Sequence, residues 1–396
     1  MATNERDLAA VAANSAGHLL TLVRAGRART RGELRELTGL SRSALLQRID
    51  ALLAAGYLRT SGVAGSTGGR PSTVLEFNDR RQLVLAADLG ATHARLAVVD
   101  LAGRPLVEHV GELDIADGPE AVLRRLTADL SALVDHAGAR LEELCGIGLG
   151  VPGPVEFSTG RVVQPPIMPG WHDYPIREHL EAELGRPVLV DNDANLMALG
   201  EHATLGLDDT PLILVKVATG IGAGIVIDGR VYRGVDGGAG DIGHVRIAGN
   251  DVRCTCGSVG CLAAVASGRA IARRLDGLGF PTRSSRDVVS RLHAGEPDAI
   301  RLAREAGQHV GEVLATVVCL INPAVLIIAG DLAETAFVTG VREALYARAL
   351  PRATRHLRVA TSELGQRGGV VGAVRMVVDE LYSPAEVDRR LASVSG

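Results

Sequence analysis

The sequence predicts an α/β protein in which a winged helix-turn-helix precedes a body of two related lobes. Short helical patterns separated by a glycine turn, each opened by a capping residue, indicate the helix-turn-helix. A unit of strand, glycine- and threonine-containing turn and second strand occurs twice, starting at Leu83 and at Pro211, and this repetition predicts two lobes of similar architecture. With 396 residues, the chain is long enough for two or three domains with their own cores.

The composition narrows the class of protein. Apolar residues make up 46% of the chain and charged residues 22%, as in soluble globular proteins, while aromatic residues reach only 3%, which disfavours stacking platforms for single-stranded nucleic acid. The net charge is −4, yet the residues before Gln82 contain twelve arginines and seven acidic residues. A basic head on an acidic body favours a nucleic-acid partner. A polar start and the lack of a long apolar run predict a cytoplasmic protein with no membrane partner.

The head is predicted to contain three helices. Residues 8–24 have an apolar face at helical spacing. Thr30 caps a short helix that Gly39 ends, and Ser41 caps the next helix, which Gly56 ends. The exposed start of this third helix carries the side chains expected to reach bases and phosphates in a major groove, namely Arg42, Ser43, Gln47 and Arg48.

A wing is predicted to follow the three helices. Residues 57–59 and 73–77 resemble two strands around a glycine-rich loop at 62–69, and Arg70 is placed to touch phosphate or the minor groove. A helix-turn-helix pattern alone also fits a protein-interaction module, but the wing and the arginines favour double-stranded DNA. Because one winged module covers few base pairs, useful specificity requires a homodimer or a homotetramer.

The two hairpin turns of the body are candidate phosphate sites. The first turn holds Asp88, Gly90 and Thr92, and the second is expected to run over residues 218–224. Backbone N–H groups and threonine hydroxyls in such turns suit phosphate oxygens, and Asp88 is placed to hold Mg²⁺. The candidate residues of the second turn are Thr219, Gly220 and Gly222. Glycine in a hairpin is also ordinary turn geometry.

A polar cluster follows the strand at 187–190. Asp193 lies where a helix begins, so it is placed to accept a proton from a substrate hydroxyl, with Asn192 fixing that hydroxyl. Asp and Asn are equally the usual N-cap residues of a helix. The spacing alone leaves both interpretations open.

His244, Cys254, Cys256 and Cys261 predict a metal site. Three of the five cysteines of the chain fall within eight positions, and the histidine lies ten positions before the first of them. A closed set of three thiolates and one imidazole suits a structural, tetrahedral Zn²⁺ and leaves no open position for catalysis. An accidental cluster of buried thiols is the alternative.

Seven short motifs together resemble the ROK family, which contains bacterial sugar kinases and sugar-responsive repressors. They are DLGAT at 88–92, VPGPV at 151–155, PGW at 169–171, DNDAN at 191–195, TGIGAG at 219–224, GDIGH at 240–244 and CTCGSVGC at 254–261. The resemblance implies a two-lobed actin/hexokinase-like body of the ribonuclease H-like ATPase type. Its expected divisions are the DNA-binding domain at 1–80, a first lobe at 81–192 joined by a C-terminal helix at 366–385, and a second lobe at 193–365 with the zinc site and an oligomerisation surface.

The resemblance also implies roles for individual residues. Asn192, Asp193, Asp241 and His244 are implied to bind sugar hydroxyls, and Asp193 is implied to act as the base in a kinase. His244 is implied to contact zinc through one ring nitrogen and the sugar through the other. Gly330 belongs to the region implied to contact adenosine.

Four positions depart from the family pattern, namely Asp241 and Ala263 in place of glutamates, Ile167 in place of an asparagine and Ala329 in place of a glycine. A shorter carboxylate and two lost polar groups predict altered recognition of hexoses and put kinase activity in doubt.

These observations predict a sugar-responsive DNA-binding transcriptional regulator, a repressor of carbohydrate metabolism genes. Its expected partners are an operator and a sugar or sugar-phosphate effector that favours one angle between the lobes. The competing hypothesis is an ATP-dependent sugar kinase with an autoregulatory head, and only this hypothesis makes ATP and Mg²⁺ cofactors. A metal-responsive regulator is disfavoured because a closed set of three thiolates and one imidazole binds too tightly for reversible sensing.

Overall fold

The computed structural model describes residues 14–63, 73–207 and 209–394. Its head contains three helices, α1 (Ala16–Arg24), α2 (Arg31–Thr38) and α3 (Arg42–Ala54), and the antiparallel strands β1 (Leu58–Val63) and β2 (Thr73–Phe77). Thr30 and Glu33 form a reciprocal capping box at the start of α2, and Ser41 caps α3 through the backbone N–H of Ala44. The helix-turn-helix and its two flanking strands are thus confirmed.

Two predictions in the head meet the edge of the described residues. The helix expected over 8–24 begins at Ala16, because the hydroxyl of Ser15 accepts a hydrogen bond from the backbone N–H of His18 and caps it there. Residues 8–13 lie outside the described part of the chain, and so does Arg70, the arginine predicted to lie in the wing.

The first lobe is built on a five-stranded sheet. Its strands are β3 (Leu83–Leu89), β4 (His93–Asp100), β5 (Pro105–Glu112), β6 (Leu144–Val151) and β9 (Val188–Asn192), in the order β5-β4-β3-β6-β9. The first three strands are antiparallel, and β6 and β9 run parallel to β3. Helices α4 (Pro119–His136) and α5 (Ile176–Leu184) share a hydrophobic core with one face of this sheet. A small hairpin of β7 (Val155–Glu156) and β8 (Arg161–Val162) lies beside it.

The second lobe repeats this plan. Its strands are β10 (Leu212–Val217), β11 (Ile221–Ile227), β12 (Arg230–Val231), β13 (Val325–Ala329) and β14 (Arg358–Thr361), in the order β12-β11-β10-β13-β14. Again an antiparallel hairpin is followed by two parallel strands, so the predicted duplication is confirmed. The helices of this lobe are α7 (Leu262–Ala266), α8 (Gly268–Gly277), α9 (Ser285–His293), α10 (Pro297–Ile321), α11 (Thr335–Arg348) and α12 (Pro351–Thr354).

Two helices separate the sheets. They are α6 (Asp193–Leu205), which packs on β10 and β11, and α13 (Gly368–Leu381), which packs on β3 and β6. The two helices also pack against each other, so the two lobes meet along a layer formed by these helices.

The turn expected over residues 218–224 is shorter than predicted. Only residues 218–220 form the turn, closed by the backbone N–H of Ala218 and the carbonyl of Gly220, and Gly222 lies in β11 opposite Lys216. The prediction is wrong for residues 221–224 because small residues serve another purpose there. Helix α6 crosses β11 so closely that a larger side chain at position 224 would meet the backbone of Ala194.

The C-terminal helix predicted over 366–385 is two helices. The first, α13, ends at Leu381, and a second, α14 (Pro384–Val394), follows and packs on α1 of the head. Sequence reasoning missed this second helix. One continuous cluster of buried side chains contains Leu20 and Leu52 of the head, Val84 of β3 and Val374 of α13, so the head shares a hydrophobic core with the first lobe. Among the described residues, no helix combines the length and apolar character that crossing a bilayer requires.

Candidate ligand cleft and metal-binding cluster

A cleft of about 540 Å³ lies between the lobes. Every cleft residue proposed from the sequence lines it, namely Asp88, Gly90, Thr92, Asn192, Asp193, Thr219, Gly220, Gly222, Asp241, His244 and Gly330. The two hairpin turns contribute from opposite lobes, and the start of α6 lies between them. The structure therefore brings together residues that are up to 242 positions apart in the chain.

The start of α6 separates the roles of Asn192 and Asp193. Asn192 is the N-cap, because its amide oxygen accepts hydrogen bonds from the backbone N–H groups of Ala194 and Asn195 at 2.9 and 3.3 Å. Its amide nitrogen donates to the carbonyl of Gly153 at 3.0 Å. The helix-capping interpretation of this cluster is therefore confirmed for Asn192, and Asp193 is the first residue of the helix.

Asp193 is paired with a lysine that the sequence argument did not single out. The ammonium nitrogen of Lys216 lies 2.5 Å from Oδ2 of Asp193, and the two side chains are 19% and 9% exposed. Burial opposes the charge of this lysine, but attraction to Asp193 and Asp88 raises the pKa of Lys216 above its ordinary value. A persistent positive charge therefore occupies the centre of the cleft. Lys216 is the one charged residue in the apolar strand β10, and that interruption was the available signal.

Asp88 lies against the start of α13. A side chain at Gly369 would collide with its carboxylate, and Oδ1 of Asp88 has no hydrogen-bond partner among the described residues. Burial, reinforced by repulsion from Asp193, raises the pKa of Asp88 to about 6, although Lys216 opposes the shift. This carboxyl therefore keeps its proton to a higher pH than an ordinary aspartate does.

The neighbouring turn faces positive groups from the other lobe. Burial and the charges of Lys216 and Arg286 lower the pKa of His93 below its ordinary value. Arg286 is the second residue of α9, in the other lobe, so its influence on His93 crosses the cleft. The turn at 90–92 is thus set in a cationic environment.

A second ion pair joins the lobes beside α6. The guanidinium of Arg233, which follows β12, donates to Oδ2 of Asp191 at 2.9 and 2.7 Å. The same guanidinium lies 3.7 Å from the centre of the Phe157 ring. The other oxygen of Asp191 accepts a hydrogen bond from the side chain of Asn195 at 2.9 Å. Sequence reasoning did not find these contacts.

The four predicted metal ligands converge. Their ligand atoms all lie within 4.8 Å of one another, with Nδ1 of His244 3.7 Å from Sγ of Cys254 and Sγ of Cys256 3.7 Å from Sγ of Cys261. Sulfurs bound at about 2.3 Å to one tetrahedral ion are about 3.8 Å apart, so this cluster can bind a metal. Because Nδ1 of His244 faces the thiols, Nε2 lies on the opposite side of the ring.

The loop that carries His244 is held on β11. The backbone N–H of Ala223 donates to the carbonyl of Gly240 at 2.9 Å, and Gly240 has φ of +98°. A Cβ at Gly240 would lie 2.0 Å from the carbonyl oxygen of Ala223, so both the dihedral angle and the close approach require glycine. The loop thus places His244 at the cleft wall with the metal-binding cluster behind it.

The predicted DNA-contacting residues differ in exposure. Arg42, Ser43 and Gln47 are exposed on α3, whereas Arg48 is half-buried and donates from its guanidinium to the carbonyl of Ala44 at 3.0 Å. Three of the four side chains thus face solvent at the start of the helix. Arg48 is partly committed to its own helix.

Helix α13 connects the cleft with the head. Its first turn lies beside Asp88, and its last turn offers the carbonyl of Val378 and the carboxylate of Asp379 to Arg24 of α1. The helix that follows adds a hydrogen bond from the backbone N–H of Gly17 to Oδ1 of Asp388 at 2.8 Å. A rigid element therefore extends from the ligand cleft to the helix-turn-helix.

Between the two helices, Tyr382 packs edge-on against two aromatic rings of the head. Its ring centre lies 5.8 Å from that of Tyr57 and 5.6 Å from that of Phe77. Its hydroxyl donates to the side chain of Gln82 at 2.8 Å. The junction of α13 with α14 is therefore fixed to the base of the wing.

Comparison with known proteins identifies the family. The sequence model described as "ROK family" matches residues 84–380, three quarters of the chain. The chain belongs to the ROK family. The xylose repressor of Caldicellulosiruptor bescii is 30% identical over 372 residues, covering 89% of this chain and 92% of the repressor. The glucokinase of Halalkalibacterium halodurans is 30% identical over 306 residues, covering 73% of this chain and 92% of the kinase.

A solved ROK structure shares the whole fold. A ROK family transcriptional regulator, described as a homologue of the Escherichia coli MLC protein, superimposes with a TM-score of 0.83 over 97% of this chain and 100% of that one. At 24% identity this likeness concerns the fold, and it includes the head as well as the two lobes. The predicted two-lobed body of the actin/hexokinase type is thereby confirmed.

Of the four departures from the ROK pattern, Ala329 is buried at the end of β13, and the other three lie in the cleft. Ile167 and Ala263 both line it, as does the exposed Asp241. Two apolar side chains therefore form part of a wall where the family pattern has hydrogen-bonding groups.

Proposed function

We propose that this ROK protein is a sugar-responsive transcriptional repressor that binds an operator in double-stranded DNA through α3 and the wing. The observation that carries the proposal is α13, which lies beside Asp88 at one end and bonds Arg24 of the head at the other. A ligand that changes the angle between the lobes would move the N-terminal end of this helix, and the head shares its core. This function places the protein in the cytoplasm, with the operator.

The comparison with relatives supports the same proposal. The xylose repressor aligns with 89% of this chain, whereas the glucokinase aligns with 73%. The effector under this proposal is a sugar or a sugar phosphate bound by Asp193, Asp241 and His244. Homodimers or homotetramers would present two heads to the halves of one operator.

A sugar kinase is the second candidate, favoured by the retained Asp193 and Asp88. Against it, Oδ2 of Asp193 accepts a hydrogen bond from Lys216 and Oδ1 accepts one from the backbone N–H of Ala194, so both oxygens of the candidate base already have partners. ATP and Mg²⁺ are therefore not part of the function proposed here.

We propose Zn²⁺ as the metal of the cluster, in a structural role. The cluster offers three thiolates and one imidazole, a set that Zn²⁺ fills with no open position. The residues hold His244 in the cleft wall, with Nδ1 toward the ion and Nε2 toward the sugar. The ion would supply rigidity and fix the tautomer of this ring.

The test has two stages. DNA fragments selected from a random pool by the full-length, metal-loaded protein would define an operator. Its affinity is then measured with D-xylose, D-glucose, N-acetyl-D-glucosamine and their phosphate esters. We expect at least one sugar to change operator affinity, with no ATP consumed in the same mixture. Selection of no preferred DNA, or a sugar-dependent ATPase activity that Asp193→Asn abolishes, would contradict the proposal.

A further inference from the structure

The side chain of Asn195 carries a buried hydrogen-bond acceptor at the cleft. Asn195 is 3% exposed, and it lines the cleft from the first turn of α6. Its backbone N–H is used by the N-cap Asn192. Its side-chain oxygen Oδ1 is buried and meets no donor in the described part of the chain. A buried amide oxygen without a partner is unfavourable, so a position of this kind normally receives a donor.

The orientation of this amide is fixed from behind. The amide nitrogen donates to Oδ1 of Asp191 at 2.9 Å, and a carboxylate can only accept. The NH₂ group therefore faces Asp191, and Oδ1 faces away from it. Rotating the amide by 180° would place its oxygen against a carboxylate oxygen, which is repulsive. The protein itself therefore fixes the orientation of Oδ1, independently of any ligand.

Arg233, a residue of the second lobe, fixes the position of Asp191, which in turn orients the amide of Asn195. The guanidinium of Arg233 donates two hydrogen bonds to Oδ2 of Asp191 and stacks on the ring of Phe157. Asp191 is fully buried, and the two hydrogen bonds from Arg233 hold its carboxylate in one orientation. The chain from Arg233 through Asp191 to Asn195 therefore presents one neutral acceptor from a rigid helix.

We propose that Oδ1 of Asn195 accepts a hydrogen bond from one hydroxyl of the carbohydrate effector, and that Arg233 and Asp191 act as positioning residues for it. The inference rests on the proposed function, because it concerns the same cleft. It adds a specificity determinant. An acceptor of this kind takes a hydroxyl donor and discriminates against an analogue that carries hydrogen or fluorine at that carbon.

The neighbouring groups make this selectivity distinct. Asp193 and Asp241 are carboxylates, which also accept from cations, whereas the amide of Asn195 is uncharged. Asp193 is already bonded to Lys216. A neutral, fixed acceptor beside an occupied carboxylate distinguishes sugars by the position of a single hydroxyl.

The experiment is a cycle between protein variants and ligand analogues. Calorimetry on the full-length, metal-loaded protein measures the affinities of D-xylose, D-glucose and each of their monodeoxy analogues. The measurements are repeated with Asn195→Ala and with Asn195→Leu, which is close to asparagine in size. We expect that removing the hydroxyl at one position of the sugar lowers its affinity for the wild type roughly tenfold, and that the same change hardly affects its affinity for the two Asn195 variants.

Arg233→Met provides a second route that leaves Asn195 unchanged. It should shrink the penalty at the same deoxy position while sparing the other positions. Arg161→Met is the matched control, because Arg161 forms exposed ion pairs with Asp173 and Glu178 on the same lobe as Phe157. It should leave the whole pattern unchanged.

The outcomes separate this inference from the proposed function. If a sugar binds the wild type and alters operator affinity, but the Asn195 variants lose affinity for all analogues equally, the residue is only structural and the inference is overturned. A coupling confined to one hydroxyl supports it. If no sugar binds the wild type at all, the proposed function itself fails, and the inference fails with it.

Discussion

The ammonium nitrogen of Lys216 lies 2.5 Å from Oδ2 of Asp193, and this pair lines the cleft between the lobes. The two residues are 23 positions apart, on β10 and at the first position of α6. Lys216 also attracts Asp88, which burial makes reluctant to ionise. The cleft thus contains a lysine that interacts with two carboxylates.

We predict that Lys216→Met destabilises the protein by about 3 kcal/mol at neutral pH, because it leaves the buried Asp193 without its partner. The free energy of unfolding in urea measures the effect. Adding Asp193→Asn to this variant should restore most of the loss, since no unpaired charge remains. As a control, Arg274→Met removes an exposed ion pair with Glu305 and should cost less than about 1 kcal/mol. Equal losses in the two variants would contradict the account of the pair.

Asp88 makes the free energy of unfolding of the protein depend on pH. Its pKa is raised to about 6 by burial and by Asp193, against about 3.8 in the unfolded chain. Between these values the folded state binds more protons than the unfolded state, so the Asp88 contribution to the free energy of unfolding falls as pH rises from 4 to 6. Lys216 and Arg95 are the positive groups that limit the shift.

Asp88→Asn should therefore be more stable than the wild type above pH 6, by about 1–3 kcal/mol, and should lose that advantage near pH 4. Urea unfolding at several pH values measures the difference. The control Asp129→Asn removes an exposed carboxylate that pairs with Arg125 on α4, and its effect should be small at every pH. A stabilisation by Asp88→Asn that does not vary with pH would contradict the assignment of this pKa.

Removal of the metal should loosen the loop that carries His244. We expect one zinc ion per chain by elemental analysis, and chelation should lower the thermal midpoint and abolish the sugar response. Cys256→Ser should reproduce both effects. The control Cys319→Ser changes an exposed cysteine of α10 that lies outside the cluster, and it should change neither. Protein that stays metal-free, folded and sugar-responsive would contradict the structural role of zinc.

Local signals in the sequence predicted most of the head and the cluster. The capping box of Thr30 and the spacing of Cys254 to Cys261 depend on residues within one turn or one loop, so they are visible in a single sequence. The duplication of the lobes was visible for the same reason, because each hairpin is a local unit. The candidate residues of the two hairpin turns and of the cluster of Asn192 and Asp193 were likewise predicted from local patterns. The places of Asp241, His244 and Gly330 in the cleft were predicted through resemblance to the ROK family.

Contacts between distant residues could not be predicted in this way. Arg24 and Asp379 are 355 positions apart, and each is an ordinary charged residue on a helix until the fold brings them together. The pairing of Lys216 with Asp193 had only one local signal, a charge within an apolar strand. The small residues at 221–224 were misread as a turn because the helix that packs on them, α6, cannot be seen from the strand itself.

The exposed start of α3 should contact DNA. Arg42→Ala is expected to weaken operator binding and to lower the slope of log affinity against log salt by about 1 if the guanidinium contacts a phosphate. Fluorescence anisotropy at several salt concentrations measures both. Arg140→Ala, at an exposed site of the first lobe, is the control and should leave the slope unchanged. An unchanged slope for Arg42→Ala would place the DNA contact elsewhere.

Arg24 tests the connection between cleft and head most directly. Its guanidinium donates to the carbonyl of Val378 at 3.1 Å and pairs with Asp379, so Arg24→Ala detaches α1 from the end of α13 without touching the cleft. We expect sugar affinity to stay unchanged. The ratio of operator affinities without and with sugar should become smaller than in the wild type, where a coupling of about 5- to 150-fold is typical of two allosteric sites. Arg375→Ala is the matched control, because Arg375 bonds the other oxygen of Asp379 from an exposed position on the same helix. Arg375→Ala removes one positive partner of Asp379 but leaves the contact between Asp379 and the head. The ratio of operator affinities without and with sugar should therefore match the wild type. If both variants keep the full ratio, the signal reaches the head through another element, and the role proposed for α13 is wrong.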